Sequence, residues 1–404
     1  MTLKIATPRN CAEVADADGS RLLNGHTPSV VSATRFASAT GNSNTVQVSV
    51  PPIVVQSAPS STGIIDIRSS RGSLLDLDSK TLEGLRQPYG SKFLPSLLLW
   101  DEKGKDLYSE ILACKHYYPY RVENELLKQR INDITSTIAS SGTDLLVELG
   151  AGNMHKTTQF LTCLDNHLDV ALVYYALDID RAELESSLSL LKARTNLRHI
   201  ELRGLLGTYE DGARWLSRPE AGIYRTTLIW LGNSIANFMP HEARKILGSF
   251  TGAPGNGFQN LAGFLLAVDG CQDESLIECA YDTPGGQSRR WVKYALEAAR
   301  RRLGGPEAEK LLDDDSWRVE GRWVSHRQCY ENYLTAARHL EGTVRGEPIH
   351  LRRGERVKIL ASGKWTNSNV SNICSQEGLD VVEWWSSPEL DYSKWPTPWH
   401  LIRV

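Results

Sequence analysis

The chain has 404 residues, 45 of them Lys or Arg and 48 Asp or Glu, with 41% hydrophobic residues and a formal net charge of -3. That balance belongs to a globular protein and excludes the dense basic face that nucleic acid or an anionic membrane surface demands, so the expected partner is a small molecule. The sequence has no apolar run long enough to span a bilayer and no secretory layout, and its seven cysteines (Cys11, Cys114, Cys163, Cys271, Cys279, Cys329, Cys374) are scattered and never spaced as CxxC; a cytoplasmic protein with reduced thiols, no metal site and no disulfide framework is expected.

Residues 1–62 are poor in charge and aromatic side chains, rich in Ser, Thr, Ala and Asn, and broken by Pro51, Pro52 and Pro59, which predicts a disordered leader. The folded body is expected from Ile64. Apolar residues at Val122, Leu126, Leu127, Ile131, Ile134 and Ile138 predict a helix over 121–140. A short apolar run at 145–147 then enters Glu148-Leu149-Gly150-Ala151-Gly152 and a helix-compatible stretch over 156–164. Further apolar runs at 171–177, 227–231 and 264–268 alternate with helical stretches near 181–193 and 240–249, the latter opened by Pro240. The alternation predicts an α/β fold with a parallel sheet covered by helices. After Val268 the pattern changes through Pro284-Gly285-Gly286, a basic helix near 289–303, and aromatic strand-like pieces before an apolar run at 357–361. This part reads as an inserted substrate-side domain.

Gly150 and Gly152 stand where a strand ends and a helix begins, and residues without Cβ there let the backbone approach a ligand. Asp178 ends the next strand, where a carboxylate can accept from two ribose hydroxyls; neighbouring Asp180 is equally suited to cap the helix that follows. A dinucleotide fingerprint would place a third glycine at position 155, which is His. That disfavours NAD. An acidic residue two positions before GxG, here Glu148, resembles instead the first motif of class I S-adenosylmethionine methyltransferases.

Five further segments extend the resemblance over roughly 64–404: Leu99-Trp100-Asp101-Glu102-Lys103-Gly104, Tyr117-Tyr118-Pro119-Tyr120-Arg121, the glycine turn with Lys156-Thr157, Leu231-Gly232-Asn233-Ser234-Ile235-Ala236-Asn237, and Tyr281-Asp282-Thr283-Pro284-Gly285-Gly286. Together they resemble the amino-acid α-N-methyltransferases that include the histidine methyltransferase of ergothioneine synthesis and the fungal dimethylallyltryptophan N-methyltransferase. The resemblance implies a class I Rossmann-like sheet with an inserted α+β substrate-binding domain. Its expected parts are a leader at 1–62, helices of the substrate domain at 63–135, the cofactor domain at 136–270, the insertion at 271–364, and strands completing the cofactor domain at 365–404. It implies S-adenosylmethionine as cofactor, held by Glu148, Gly150, Gly152, Lys156, Asp178, Thr208 and Tyr209. It implies Tyr117 and Asn237 as the catalytic pair at the α-amino group, and Tyr281 at the substrate carboxylate.

Substrate choice rests on two departures from the histidine enzymes, at Leu360 and Asn332; a third, at Trp100, bears on repeated methylation. Where those have Glu-Val-Ser-Cys-Lys-Phe, with Glu and Ser bonding the imidazole, this chain has Leu360-Ala361-Ser362-Gly363-Lys364-Trp365. Their pocket Met corresponds by count to Asn332, and Trp100 replaces a Tyr near the amine. An imidazole N–H left unpaired costs about 1–3 kcal/mol, whereas Leu360 offers carbon surface to an indole. The expected enzyme is a monomer or weak homo-oligomer that methylates the α-amino group of a tryptophan-type amino acid such as 4-dimethylallyltryptophan. The alternatives are a histidine methyltransferase and, from another class, a catalytically silent binding module.

Overall fold

The computed structural model describes residues 63–69, 76–152, 154–251, 260–385 and 399–403, so the expected leader at 1–62 lies outside the described residues. Its strands are β1 (Ile64–Asp66), β2 (Leu145–Leu149), β3 (Leu172–Asp178), β4 (Ile200–Leu206), β5 (Thr226–Trp230), β6 (Leu261–Ala267), β7 (Trp317–Val324), β8 (Cys329–Ala336), β9 (Leu340–Val344), β10 (Glu347–Leu351), β11 (Arg356–Gly363), β12 (Asp380–Trp385) and β13 (Trp399–Arg403).

Eight strands form one sheet in the order β1-β4-β3-β2-β5-β6-β13-β12. The first six are parallel and β13 runs antiparallel to both its neighbours. Strands β2, β5 and β6 are buried along their whole length, as parallel strands with helices on both faces must be. From β2 the chain runs outward through β3 and β4, then returns to β5 and runs the other way through β6. The reversal between β2 and β5 opens a crevice at the carboxyl ends of these strands, where ligands of such sheets bind. The expected α/β class holds. Strands β1 and β4 do not stand out as apolar runs, because β1 is three residues long and the first half of β4 carries the exposed Glu201 and the half-buried Arg203.

A second core joins chain from both sides of the large sheet. Helix Gln287–Leu303 packs against the turn Ser96–Leu99, helix Glu102–Leu112 and the three-stranded antiparallel sheet β11-β8-β7. Leu98, Leu99, Ile111, Leu296, Trp317, Leu334 and Val357 share one apolar cluster there. The backbone of Leu94 donates to the Lys358 carbonyl at 2.9 Å and Lys358 returns a bond to the Lys92 carbonyl at 2.9 Å, adding residues 92–94 to the edge of that sheet. Asp101 caps the helix Glu102–Leu112 by accepting from the Gly104 amide at 2.9 Å.

The strand, glycine turn and helix at β2 are tied together by one buried carboxylate. Glu148 accepts from the Thr157 hydroxyl at 3.0 and 2.9 Å and from the Tyr174 hydroxyl at 2.5 Å, and its side chain is 2% exposed at the residue level. Burial pushes its carboxyl up from 4.5 to about 7, against the pull of the Tyr174 and Thr157 hydrogen bonds. The folded protein therefore holds this proton more tightly than the unfolded chain, and the associated stability is fully present below about pH 4.5 and lost as pH rises through 7, on the order of 3 kcal/mol across the window. Glu148→Gln removes the titration. Thermal denaturation at pH 5 and pH 8 should show the melting temperature of the variant rising relative to wild type toward pH 8; an offset independent of pH would refute it.

Candidate active site

The parallel strands deliver successive polar groups to the crevice. Gly150 follows β2, Asp178 ends β3, Thr208 follows β4, Gly232 follows β5 and Asp269 follows β6. Gly150, Gly152 and Gly232 have φ of +73°, +53° and +79°, a region that favours glycine. A Cβ on Gly150 would lie 3.0 Å from the Tyr209 hydroxyl oxygen, so the turn passes directly over that ring. Tyr209 leans on Trp230 with ring centroids 4.8 Å apart and on Phe238 at 6.2 Å. Thr208 caps helix Tyr209–Leu216: its hydroxyl accepts from the Asp211 amide at 3.2 Å and donates to the Asp211 carboxylate at 3.1 Å.

Asp178 is half-buried and accepts from the Asp180 amide at 3.0 Å through one oxygen. Burial raises its carboxyl above the usual range, opposed by that hydrogen bond and by Lys105. Asp180 caps helix Arg181–Arg194, accepting from Ala182 and Glu183 amides at 3.0 and 3.3 Å. Lys105, from the helix Glu102–Leu112, donates to Asp180 at 3.1 Å and Glu183 at 2.7 Å. Lys156 pairs with the buried Glu123, whose other oxygen accepts from the Gly232 amide at 2.7 Å. Glu123 thus joins helix Tyr118–Ser140 to the helix after the glycine turn and to the loop after β5.

A continuous line of rings runs from Trp100 to Tyr330. Trp100 meets Tyr108 edge-on at 5.1 Å and Trp291 at 5.4 Å; Tyr108 meets Tyr117 at 6.4 Å; Tyr117 meets Tyr281 at 5.7 Å; Tyr281 stacks on Tyr330 at 5.1 Å. The Tyr117 hydroxyl lies 3.4 Å from that of Tyr108, and burial holds its phenol well above the ordinary 10, reinforced by Tyr108 and Tyr281. Tyr281 and Ser362 hydroxyls are 2.9 Å apart. Leu360 and Asn332 are direct register partners across β11 and β8, as Ser362 and Tyr330 are, so alternation sets all four on one face of the three-stranded sheet. Asn237 ends the short turn Ser234–Asn237 and is exposed. That turn abuts Gly363, where a Cβ would come within 2.9 Å of the Ala236 carbonyl. Asp282 forms a two-pronged pair with Arg289 at 2.7 and 2.6 Å across the Pro-Gly-Gly turn.

The structure therefore places Trp100, Tyr117 and Tyr281 in one line of rings and Asn332, Leu360 and Ser362 on one sheet face linked to it through Tyr281 and Ser362, and sets Gly150, Gly152, Asp178, Thr208 and Tyr209 at or just beyond the carboxyl ends of the parallel strands. Glu148 and Lys156 spend their charged groups on Thr157, Tyr174 and Glu123. Four charged groups at the site escape a reading of the sequence: Lys105, Glu123, Asp269 and Lys364. No group of three or more His, Cys, Asp or Glu among the described residues could hold a metal ion, and no described helix is long and apolar enough to cross a membrane.

Over residues 77–395 the chain matches the family described as histidine-specific, S-adenosylmethionine-dependent methyltransferases. N-methyltransferase imqF of Aspergillus flavus is 39% identical over 362 residues, covering 87% of this chain and 93% of that protein. N-methyltransferase fsqC of Aspergillus fumigatus is 38% identical over 316 residues, with 78% and 81% covered. The 4-dimethylallyltryptophan N-methyltransferase easF of Claviceps purpurea is 32% identical over 344 residues, with 81% and 96% covered. A match of that extent, on a chain whose glycine turn and acidic strand end meet at the switch of a parallel sheet, means that the protein belongs to this S-adenosylmethionine-dependent family and is an N-methyltransferase.

Proposed function

We propose that the protein transfers a methyl group from S-adenosylmethionine to the α-amino nitrogen of a free amino acid with an indole side chain, of the 4-dimethylallyltryptophan type. The observation that carries this reading is the register pair Leu360 and Asn332, which floors the pocket with uncharged groups beside Ser362 and Tyr281. Apolar burial at roughly 25 cal/mol per Å² rewards an indole there. Imidazole would lack a charged partner, and its unpaired N–H would cost about 1–3 kcal/mol.

The residues present fit the cofactor. Gly150 and Gly152 leave backbone bare at the end of β2, the Asp178 oxygen not committed to Asp180 suits a ribose hydroxyl, and the Tyr209 ring suits adenine. Because the Thr208 hydroxyl is engaged in its cap, adenine recognition falls to Tyr209. Glu148 and Lys156 act on the cofactor side by holding the turn rather than by touching the ligand. The cofactor supplies an electrophilic methyl on a sulfonium; the protein must aim a neutral amine at it in line. Asn237 offers an uncharged acceptor for the amine N–H, and Tyr117 orients it from the aromatic wall. The same reading takes the enzyme as a cytosolic monomer acting on a small molecule.

S-adenosylhomocysteine should raise the melting temperature while NAD leaves it unchanged, since a ligand that binds only the folded state stabilises it by mass action. In Gly152→Val the shift should vanish, because a branched side chain at φ +53° fills the approach to the turn. The reverse pattern, a shift with NAD alone, would remove the basis for the cofactor site.

Selectivity is tested by kcat/KM for histidine, tryptophan and 4-dimethylallyltryptophan. Wild type should favour the indoles. Leu360→Glu, by burying a carboxylate against carbon, should lower indole turnover tenfold or more and raise histidine use relative to it. Wild-type preference for histidine, ratios untouched by Leu360→Glu, or turnover of none of the three amino acids would sink the indole assignment.

A further inference from the structure

Lys364 has no exposed surface, and its carboxylate partner Asp269 is 1% exposed. The ammonium donates to Asp269 at 2.7 Å and to the Tyr281 hydroxyl oxygen at 2.7 Å, and it lies 4.5 Å from the Tyr281 ring centroid. Asp269 is engaged at both oxygens: the one that meets Lys364 also accepts from the Tyr118 hydroxyl at 2.8 Å, and the other accepts from the Cys271 amide at 3.0 Å. The pair is thus a fixed dipole with its positive end against Tyr281. Tyr281 itself is held by its stack on Tyr330 and lies 2.9 Å from the Ser362 hydroxyl.

Counting protons gives the pair a direction. An ammonium can only donate, so one acceptor position on the Tyr281 oxygen is already filled. Two hydroxyl protons remain, on Tyr281 and Ser362. Whichever hydroxyl donates to the other, one proton stays uncommitted, and the neighbouring cation makes it a stronger donor. A donor beside a buried positive charge, on the wall that holds Leu360 and Asn332, suits an anionic acceptor.

We propose that Lys364, anchored by Asp269, is a positioning residue that turns the Tyr281 and Ser362 hydroxyls into a donor for the carboxylate of the substrate, so that the enzyme takes free amino acids and rejects the corresponding amines and amides. This rests on the amino-acid reading above and adds to it a selection rule that Leu360 does not carry.

The test measures kcat and KM of the full chain with tryptophan or 4-dimethylallyltryptophan, its primary amide, and tryptamine, alongside S-adenosylhomocysteine affinity by calorimetry. Wild type should prefer acid over amide by a hundredfold or more in kcat/KM. The paired variant Lys364→Met with Asp269→Asn removes both charges together and keeps an acceptor for Tyr118. It should cut that preference at least tenfold, mainly through KM, with S-adenosylhomocysteine affinity unchanged. Adding Tyr281→Phe should cost less than a further twofold, because the lysine acts through that hydroxyl. Should the paired variant not fold, Tyr281→Phe alone carries the test, since it leaves the ion pair and the ring stack in place and must itself lower the acid preference. An unchanged acid-to-amide ratio in a folded variant, or losses from Tyr281→Phe and the charge pair that simply multiply, overturns the role of Lys364. Tryptamine methylated as well as tryptophan by wild type overturns the carboxylate rule while α-amine methylation stands; turnover of no amino acid overturns the underlying reading and this inference with it.

Discussion

A lysine ammonium with no exposed surface persists only where its charge is answered, and the answer at Lys364 comes from the residues that follow another sheet. Asp269 leaves β6 of the large sheet, whereas Lys364 leaves β11 of the small one, and Tyr118 from the first turn of helix Tyr118–Ser140 closes on the same carboxylate. Removing one partner of such a pair leaves an uncompensated buried charge, at a cost of about 3–5 kcal/mol. The penalty falls on any arrangement in which β6 and β11 separate. The strand ends that carry the cofactor groups and the sheet that carries Leu360 are thereby kept in one register. Burial alone would depress the Lys364 ammonium, but Asp269 and Tyr281 hold it above the ordinary lysine value, so the charge is retained throughout the physiological range.

Glu123 repeats the device on the other side of the crevice. Its carboxylate meets Lys156 and the Gly232 amide, and Asn233, in the next position at φ +58°, accepts from the Asp269 amide at 2.8 Å. The start of the loop after β5 is therefore pinned twice, through Glu123 to Lys156 of the helix after the glycine turn and through Asn233 to the backbone of Asp269. Asn237, at the end of that loop, inherits its place from both constraints while its own amide stays exposed. A motif that looks like a string of small polar residues is in this sense a bridge between two charge pairs.

This division explains what could be read from the chain alone. The glycine turn, Asp178 and the alternation of strands and helices follow local rules, and β2, β3, β5 and β6 are mostly apolar runs buried along nearly their whole length. Strand β4 escapes because Glu201 and Arg203 pair with each other at 2.7 Å in its first half, which breaks the run while the ladders to β1 and β3 stay intact. Thr208 illustrates a side chain whose hydroxyl has two possible uses; the capping box with Asp211 is legible three residues on, and it competes directly with a ligand. Asp269, Lys364 and Glu123 are illegible for a different reason. Each partner is remote in sequence, and a lone Lys or Asp carries no periodic signal until folding sets the ends of two sheets side by side. The pairing of Leu360 with Asn332 lies between these cases, since each position had been singled out separately but only the ladder shows that they face one another.

On the proposed reading, the line of rings limits how a proton can leave the amine. Methyl transfer requires the nitrogen lone pair, and the titratable group assigned to the amine is Tyr117. Its phenol is raised by burial and further by Tyr108 and Tyr281, so forming the phenolate would mean placing a negative charge among rings that disfavour it. On the proposed reading Tyr117 cannot serve as the base. Its hydroxyl can orient a neutral amine, with Asn237 accepting from the second N–H, and neither residue stabilises an ammonium through a full negative charge. The deprotonation then belongs to the solvent side, where Asn237 is open, and the site acts by selecting the minor neutral form instead of generating it. Rate on this account climbs with pH until the amine of the bound substrate is fully deprotonated, and the buried carboxylate at the other end of the site, facing Lys364 through Tyr281, sets which molecule presents that amine.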